Sequence, residues 1–164
     1  LMFCAEPLLA LKEIHRALRD GASLGAVVFS QPERNPCITI TMRTAQRHVG
    51  MTSGDPYARG GLLSLGRPGL MAALMHEAGF SSIEVRAVSA PLVAPRCEDY
   101  VDFVRSAGSP VIEMLKPLTE AARKTAWEDI EQQLAQFTTP IGWVGPNELL
   151  ICSGVKGPAG TASS

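Results

Sequence analysis

His48, with Arg43 and Arg47 beside it, offers a base and two anion-binding groups on one short stretch of chain. An imidazole titrates close to neutral pH and can take a proton from an incoming nucleophile. A solvated helix face accounts for the same three residues and is the preferred reading. His15 follows the same logic beside Arg16 and is expected to be exposed. His76 precedes Glu77 near a helix end, where a cation suits the dipole. The three histidines lie far apart. Cys4, Cys37, Cys97 and Cys152 show no CxxC and no Cys/His grouping, so zinc-site spacing is absent. The segment GDPYARGG, residues 54–61, neither follows a strand nor leads directly into a helix, which argues against a phosphate loop. A loop, or a lid over a pocket, fits it better. Glu128, Asp129 and Glu131 read as a wet helix face. Met42, Met51, Met71, Met75 and Met114 read as adaptable apolar lining, most of it core.

The elements that must position these residues follow from periodicity and punctuation. Leu1–Phe3 is apolar and predicts the end of a buried strand. Pro7 suits a first helical turn, and Leu8, Leu11, Ile14 and Leu18 recur at helical spacing up to Asp20-Gly21. Ser23–Phe29 is a short continuous apolar run and predicts a strand covered on both faces. Helix, glycine turn and strand together suggest half of a βαβ unit. Residues 37–49 alternate at first, but Ile38, Met42, Ala45 and Val49 extend a helical pattern over the longer window, so a helix is predicted. Residues 50–66 predict a long loop, Arg67–Ala78 a helix, and Ser81–Ser89 a strand. Helices are then expected over Glu98–Ala107, Val111–Leu115 and Thr119–Phe137, the last with Trp127, Ile130, Leu134 and Phe137 as its apolar stripe. Residues 138–147 carry prolines and glycines and predict a loop. Leu149–Ser153 predicts a last strand, and 157–164 a disordered tail.

With 164 residues, 46% of them hydrophobic, the chain can bury a sizeable core in one domain. Charged residues make up 19%, below the usual share of about 25%, which points to a surface that covers something or awaits a partner. The net charge of −1 and the lack of a Lys/Arg run exclude a strongly basic nucleic-acid binder. No stretch approaches the roughly 18 unbroken apolar residues of a membrane span. The opening LMFCAEPLLALKEIHRALRD does not have the layout of a signal peptide. Dispersed cysteines without a signal read as reduced, mostly buried thiols in a cytoplasmic protein. The first residue is Leu, so the chain opens away from an ordinary start unless Met2 is one.

The run FCAEPLLALKEIHRALRDGASLGAVVFS resembles the class I S-adenosylmethionine-dependent methyltransferases, from the end of their fourth strand to the end of their fifth. Pro7, Leu11, Glu13, Arg16, Leu18, Arg19 and Gly21 fit that family's helix–turn–strand pattern. Asp20 stands where proline is usual, and Ala22 where a second glycine is usual. SLGRPGLMAALMHEAGFSSIEVRAV resembles the family's later helix, Gly-Phe turn and sixth strand, and WVGPNELLICSG its last strand. The likeness covers residues 1–156 and is nearest to the small-molecule group called type 11 or ubiquinone-biosynthesis-like.

The resemblance implies an α/β chain with a partial Rossmann-like methyltransferase fold, carrying the later strands and a helical insertion at 96–137. The N-terminal cofactor-binding half would be missing. The glycine-rich loop and the acidic residue that hold the cofactor in that family would precede residue 1, and no GxGxG stands in this chain. By the same resemblance Leu1, Met2 and Phe3 would sit near the methionine end of S-adenosylmethionine. Phe29 and Ser30 end the next strand, where such sheets face ligands. With Arg43 and His48 they are the candidates for a substrate pocket. Residues 31–66 and 96–145 would build that pocket and its lid around a small-molecule methyl acceptor. The half-sheet would present an open edge or face, a surface for dimerisation or for another partner. Two other readings remain: a truncated, non-catalytic paralogue acting as a binding module, and an unrelated small α/β enzyme with a pocket under the helical insertion.

Overall fold

The computed structural model describes residues 1–158, apart from the side chain of Ser109. The expected disordered tail at 157–164 therefore lies almost wholly outside the described residues. The chain divides into two units. The first comprises Leu1–Gln31, Pro56–Ser89 and the chain from Glu148 onward; the second comprises Pro32–Asp55 and Ala90–Asn147.

In the first unit, α1 (Pro7–Ala17) starts on a proline whose missing N–H would have had no intrahelical partner anyway. Gly21, at φ +77°, makes the left-handed turn that a side chain would resist. The chain then enters β1 (Ser23–Phe29). α3 (Leu70–Glu77), β2 (Phe80–Ser89) and β6 (Glu148–Lys156) complete the unit. The strands are ordered β1-β6-β2, with β6 antiparallel to both neighbours, so β1 and β2 run parallel on its two sides. A register shift between Ser81 and Glu84, with Ser82 at φ +48°, bulges β2.

One face of this sheet carries the core. Leu11 of α1 and Met71 and Met75 of α3 pack with Val28, Phe80 and Cys152. On the other face, pairing aligns Val27 with Ile151 and Ile151 with Arg86, and likewise Phe29 with Leu149 and Leu149 with Val88. There Val27 is 55% exposed, Ile151 47% and Val88 39%. The expectation that β1 is covered on both faces is therefore wrong. Its apolar run reads as doubly buried, yet α1 and α3 serve one side only. In β2 only Phe80 is buried and Ile83 half-buried.

Leu1–Phe3 is not the end of a strand. The Cys4 N–H donates to the Leu1 carbonyl at 3.0 Å, closing a turn, and Phe3 is 66% exposed. His15 is not on an exposed face either. Its ring meets Phe80 edge-on at 4.9 Å, and its Nε2 is buried without a hydrogen-bond partner among the described residues.

The second unit holds α2 (Pro36–His48), α4 (Cys97–Ala107), α5 (Ser109–Leu115) and α6 (Glu120–Leu134), with a short sheet of β3 (Leu92–Ala94), β5 (Gly142–Gly145) and β4 (Thr138–Thr139). α2 is helical as the longer window predicts, but its buried stripe is Cys37, Thr41, Thr44 and Ala45. Thr41 can occupy that stripe because its hydroxyl donates to the Cys37 carbonyl at 2.7 Å. α6 is capped by Thr119, whose Oγ1 accepts from the Ala122 N–H at 3.3 Å. It buries Trp127, Ile130 and Leu134 on the stripe its spacing predicts. The helices of 96–137 thus share their unit with α2 and this sheet. Residues 138–147 are not a plain loop. They form a hairpin whose Trp143 pairs with both Thr138 and Ala94.

Candidate functional site

Two places in the chain gather the residues singled out by sequence. The first is the C-terminal end of β1, where Ser30 is buried and its N–H donates to the Glu148 carbonyl at 3.0 Å. Gly66 lies directly against the Ser30 carbonyl; a Cβ there would collide with that oxygen and stand 2.7 Å from its carbon. The same loop reaches the N-terminal turn, since the Ser64 hydroxyl donates to the Met2 carbonyl at 3.0 Å. Leu63 and Leu65 are buried and anchor the loop. Residues 61–66 therefore touch both the segment expected near a cofactor, Leu1–Phe3, and the strand end expected near a substrate, Phe29 and Ser30. Only the tip of the glycine-rich stretch, residues 50–60, is predominantly exposed.

The second place lies within the other unit. His48 is the last residue of α2 and its Nε2 stands 2.8 Å from Asp129 Oδ2 on α6. Arg47 donates to the same oxygen at 2.5 Å, and Gln133 donates to Oδ1 at 2.9 Å. The Gln133 amide, then His48 and Arg47, hold the Asp129 carboxyl down at about 2, against the opposing effect of its burial. An ionised carboxylate only accepts, so His48 must carry its proton on Nε2 and leave Nδ1 as the acceptor when neutral. That is an oriented imidazole, the arrangement a general base requires. It also fastens the C-terminus of α2 to α6, with the Arg47 guanidinium where the helix dipole favours a cation.

His48 is thus half-buried and engaged instead of solvated, and Asp129 is not part of a wet face. Arg43, by contrast, is exposed. Phe29 and Ser30 belong to the first unit and Arg43 and His48 to the second. The sequence places Asp129 on a wet helix face and does not reveal its pairing with Gln133. Its only signal is the four-residue spacing on one helix.

The Asp129 cluster has a direct consequence for stability. A carboxyl lowered by folding stabilises the chain above its unfolded value and loses that contribution as pH falls through the folded one. Asp129→Asn is expected to cost about 1–2 kcal/mol at neutral pH. It should also flatten the fall in stability between about pH 4 and pH 2. Urea unfolding of both proteins across that range measures the difference, and parallel pH profiles would contradict it.

The cysteines are all free, and three of the four are buried. Burial, reinforced by the neighbouring Cys97, pushes the Cys37 thiol up to about 12; burial and then Glu131 raise Cys97. Thiols so placed stay protonated near neutral pH and are poor nucleophiles. Among the described residues, no group of three or more His, Cys, Asp or Glu is placed to hold a metal, and no helix is long and apolar enough to cross a membrane.

No protein-family profile matches the chain, and no curated protein matches it. Among solved structures, the crystal structure of a putative methyltransferase from Bacillus halodurans C-125 matches with a TM-score of 0.50 at 14% identity. The chain is similar in fold to a methyltransferase. The match covers 96% of this chain and 66% of the Bacillus chain. At that identity the likeness is one of fold.

Proposed function

We propose that this chain is the C-terminal part of an S-adenosylmethionine-dependent methyltransferase of the type 11 or ubiquinone-biosynthesis-like group, acting on a small-molecule acceptor in the cytoplasm. The observation that carries this reading is the open side of the first unit's sheet. β1 is an edge strand, and the face bearing Val27, Ile151 and Val88 is apolar and exposed. Edges and faces of this kind are normally paired or covered. A preceding half of a doubly wound sheet, with its own strands and helices, would supply both. The fold likeness, which leaves a third of the Bacillus chain unmatched, fits the same reading.

Methyl transfer from a sulfonium asks little chemistry of a protein beyond aligning two atoms, excluding water and, for some acceptors, removing a proton. This chain's own residues do not make a complete cofactor site. It contains no GxGxG, and Leu1–Phe3 forms a turn held by Ser64. The residues from Leu1 to Phe3 and from Phe29 to Ser30 would form one rim, bridged by residues 61–66.

Calorimetric titration with S-adenosylhomocysteine tests this directly, using the 164-residue chain and the same chain extended by its upstream coding sequence. Binding by the extended chain alone is the expected result. Binding by the short chain would show that the site is built differently, and binding by neither would remove the proposal. The open sheet face, taken without the fold likeness, also fits a second reading, a truncated paralogue that binds a partner without catalysis. A stop codon immediately upstream of Met2 would select it.

A further inference from the structure

A cavity of about 460 Å³ opens in the second unit between α4, α5 and α6, a size typical of small-molecule sites. Its apolar walls are Ile112 and Leu115 from α5 and Trp127 from α6. Three cations ring it, one from each helix or its end: Arg105, Lys116 and Arg123. Two of them are already engaged. Arg105 pairs with Asp102 at 3.1 Å and lies over the Trp127 ring, 5.5 Å from its centroid. Lys116 pairs with Glu113, the one carboxylate in the lining, at 3.3 Å.

Arg123 differs from both. It is half-buried, it shares the inward face of α6 with Trp127 one turn on, and among the described residues its side chain has no ion pair or hydrogen bond. A guanidinium partly withdrawn from water without a partner is poorly satisfied, and a carboxylate meets its fork with two parallel hydrogen bonds. One unengaged cation above an apolar floor, with Glu113 nearby, suits a single negative charge better than a doubly charged phosphate.

We propose that this cavity binds a small amphipathic carboxylate, with its headgroup on Arg123 and its apolar body against Trp127, Leu115 and Ile112. The site lies wholly within the second unit. It stands or falls independently of methyl transfer, because carboxylate binding is read without any cofactor.

Octanoate is the probe, titrated into the whole chain by calorimetry and by fluorescence of its two tryptophans. Saturable one-to-one binding is expected. Arg123→Gln should weaken it about tenfold or more, and octanamide, equally long but uncharged, should bind the native chain at least about tenfold more weakly. Glu113→Gln should tighten binding several-fold, a gain that misfolding cannot imitate. The proposal is overturned by an absence of saturation, by equal binding of octanoate and octanamide, or by an unchanged affinity in Arg123→Gln. Inorganic phosphate competing as well as octanoate would also overturn it, since the apolar walls would then contribute nothing.

Discussion

Trp143→Ala is expected to cost the second unit about 3–5 kcal/mol, enough to unfold it in a marginal chain. The side chain is fully buried. Its ring stacks on Tyr100 with centroids 4.4 Å apart and meets Phe137 edge-on at 6.3 Å. Its indole N–H donates to the Leu134 carbonyl at 2.8 Å, near the point where α6 ends. Alanine would therefore leave a large cavity and an unsatisfied buried carbonyl in one step. Gly145 also makes room for this ring, since a Cβ there would collide with it and with the Cys37 sulfur. Trp143→Phe keeps most of the packing and should cost less, about 1–2 kcal/mol. Urea unfolding followed by near-ultraviolet circular dichroism separates the three proteins. A native-like midpoint for the alanine variant would mean that the hairpin is not what the helices pack on.

The second large effect is expected at Gly66. The three nearest atoms that an added Cβ would meet there are all backbone: the Ser30 carbonyl group and, at 3.0 Å, the Phe29 oxygen. Backbone cannot rotate aside as a flexible side chain can, so Gly66→Ala must lift the loop from the end of β1. A cost of about 1–3 kcal/mol follows from overpacking of this kind. Faster amide exchange should be confined to residues near 61–66, Ser30 and the Met2 turn that Ser64 holds. Gly54→Ala is the control, because nothing among the described residues lies within 4 Å of a Cβ at that position. Equal exchange and equal melting temperatures for both variants would show that this close approach does not restrain the loop. The loop also bridges the two segments proposed to rim the cofactor site. On the proposed function, the same lesion would weaken cofactor binding in the extended chain.

Most helices and the three long strands are legible in the chain, because each announces itself locally. Pro7 and Gly21 bracket α1. Trp127, Ile130 and Leu134 repeat at helical spacing, and the apolar run of β1 lies between turn residues. A likeness in fold to a methyltransferase was also legible in the sequence. Relationships between residues far apart in the chain emerge only on folding. β6 inserts between β1 and β2 although it follows them by many residues, and no local pattern records which strand will lie beside which. The open face of β1 was hidden because an apolar run looks the same whether one side or both are covered. The sheet of β3, β5 and β4 escaped because strands of two to four residues are too short to show alternation. His48 met Asp129, and Arg123 came to face the cavity, for the same reason. A side chain's solvation is set by what packs against its element, and that information lies elsewhere in the chain.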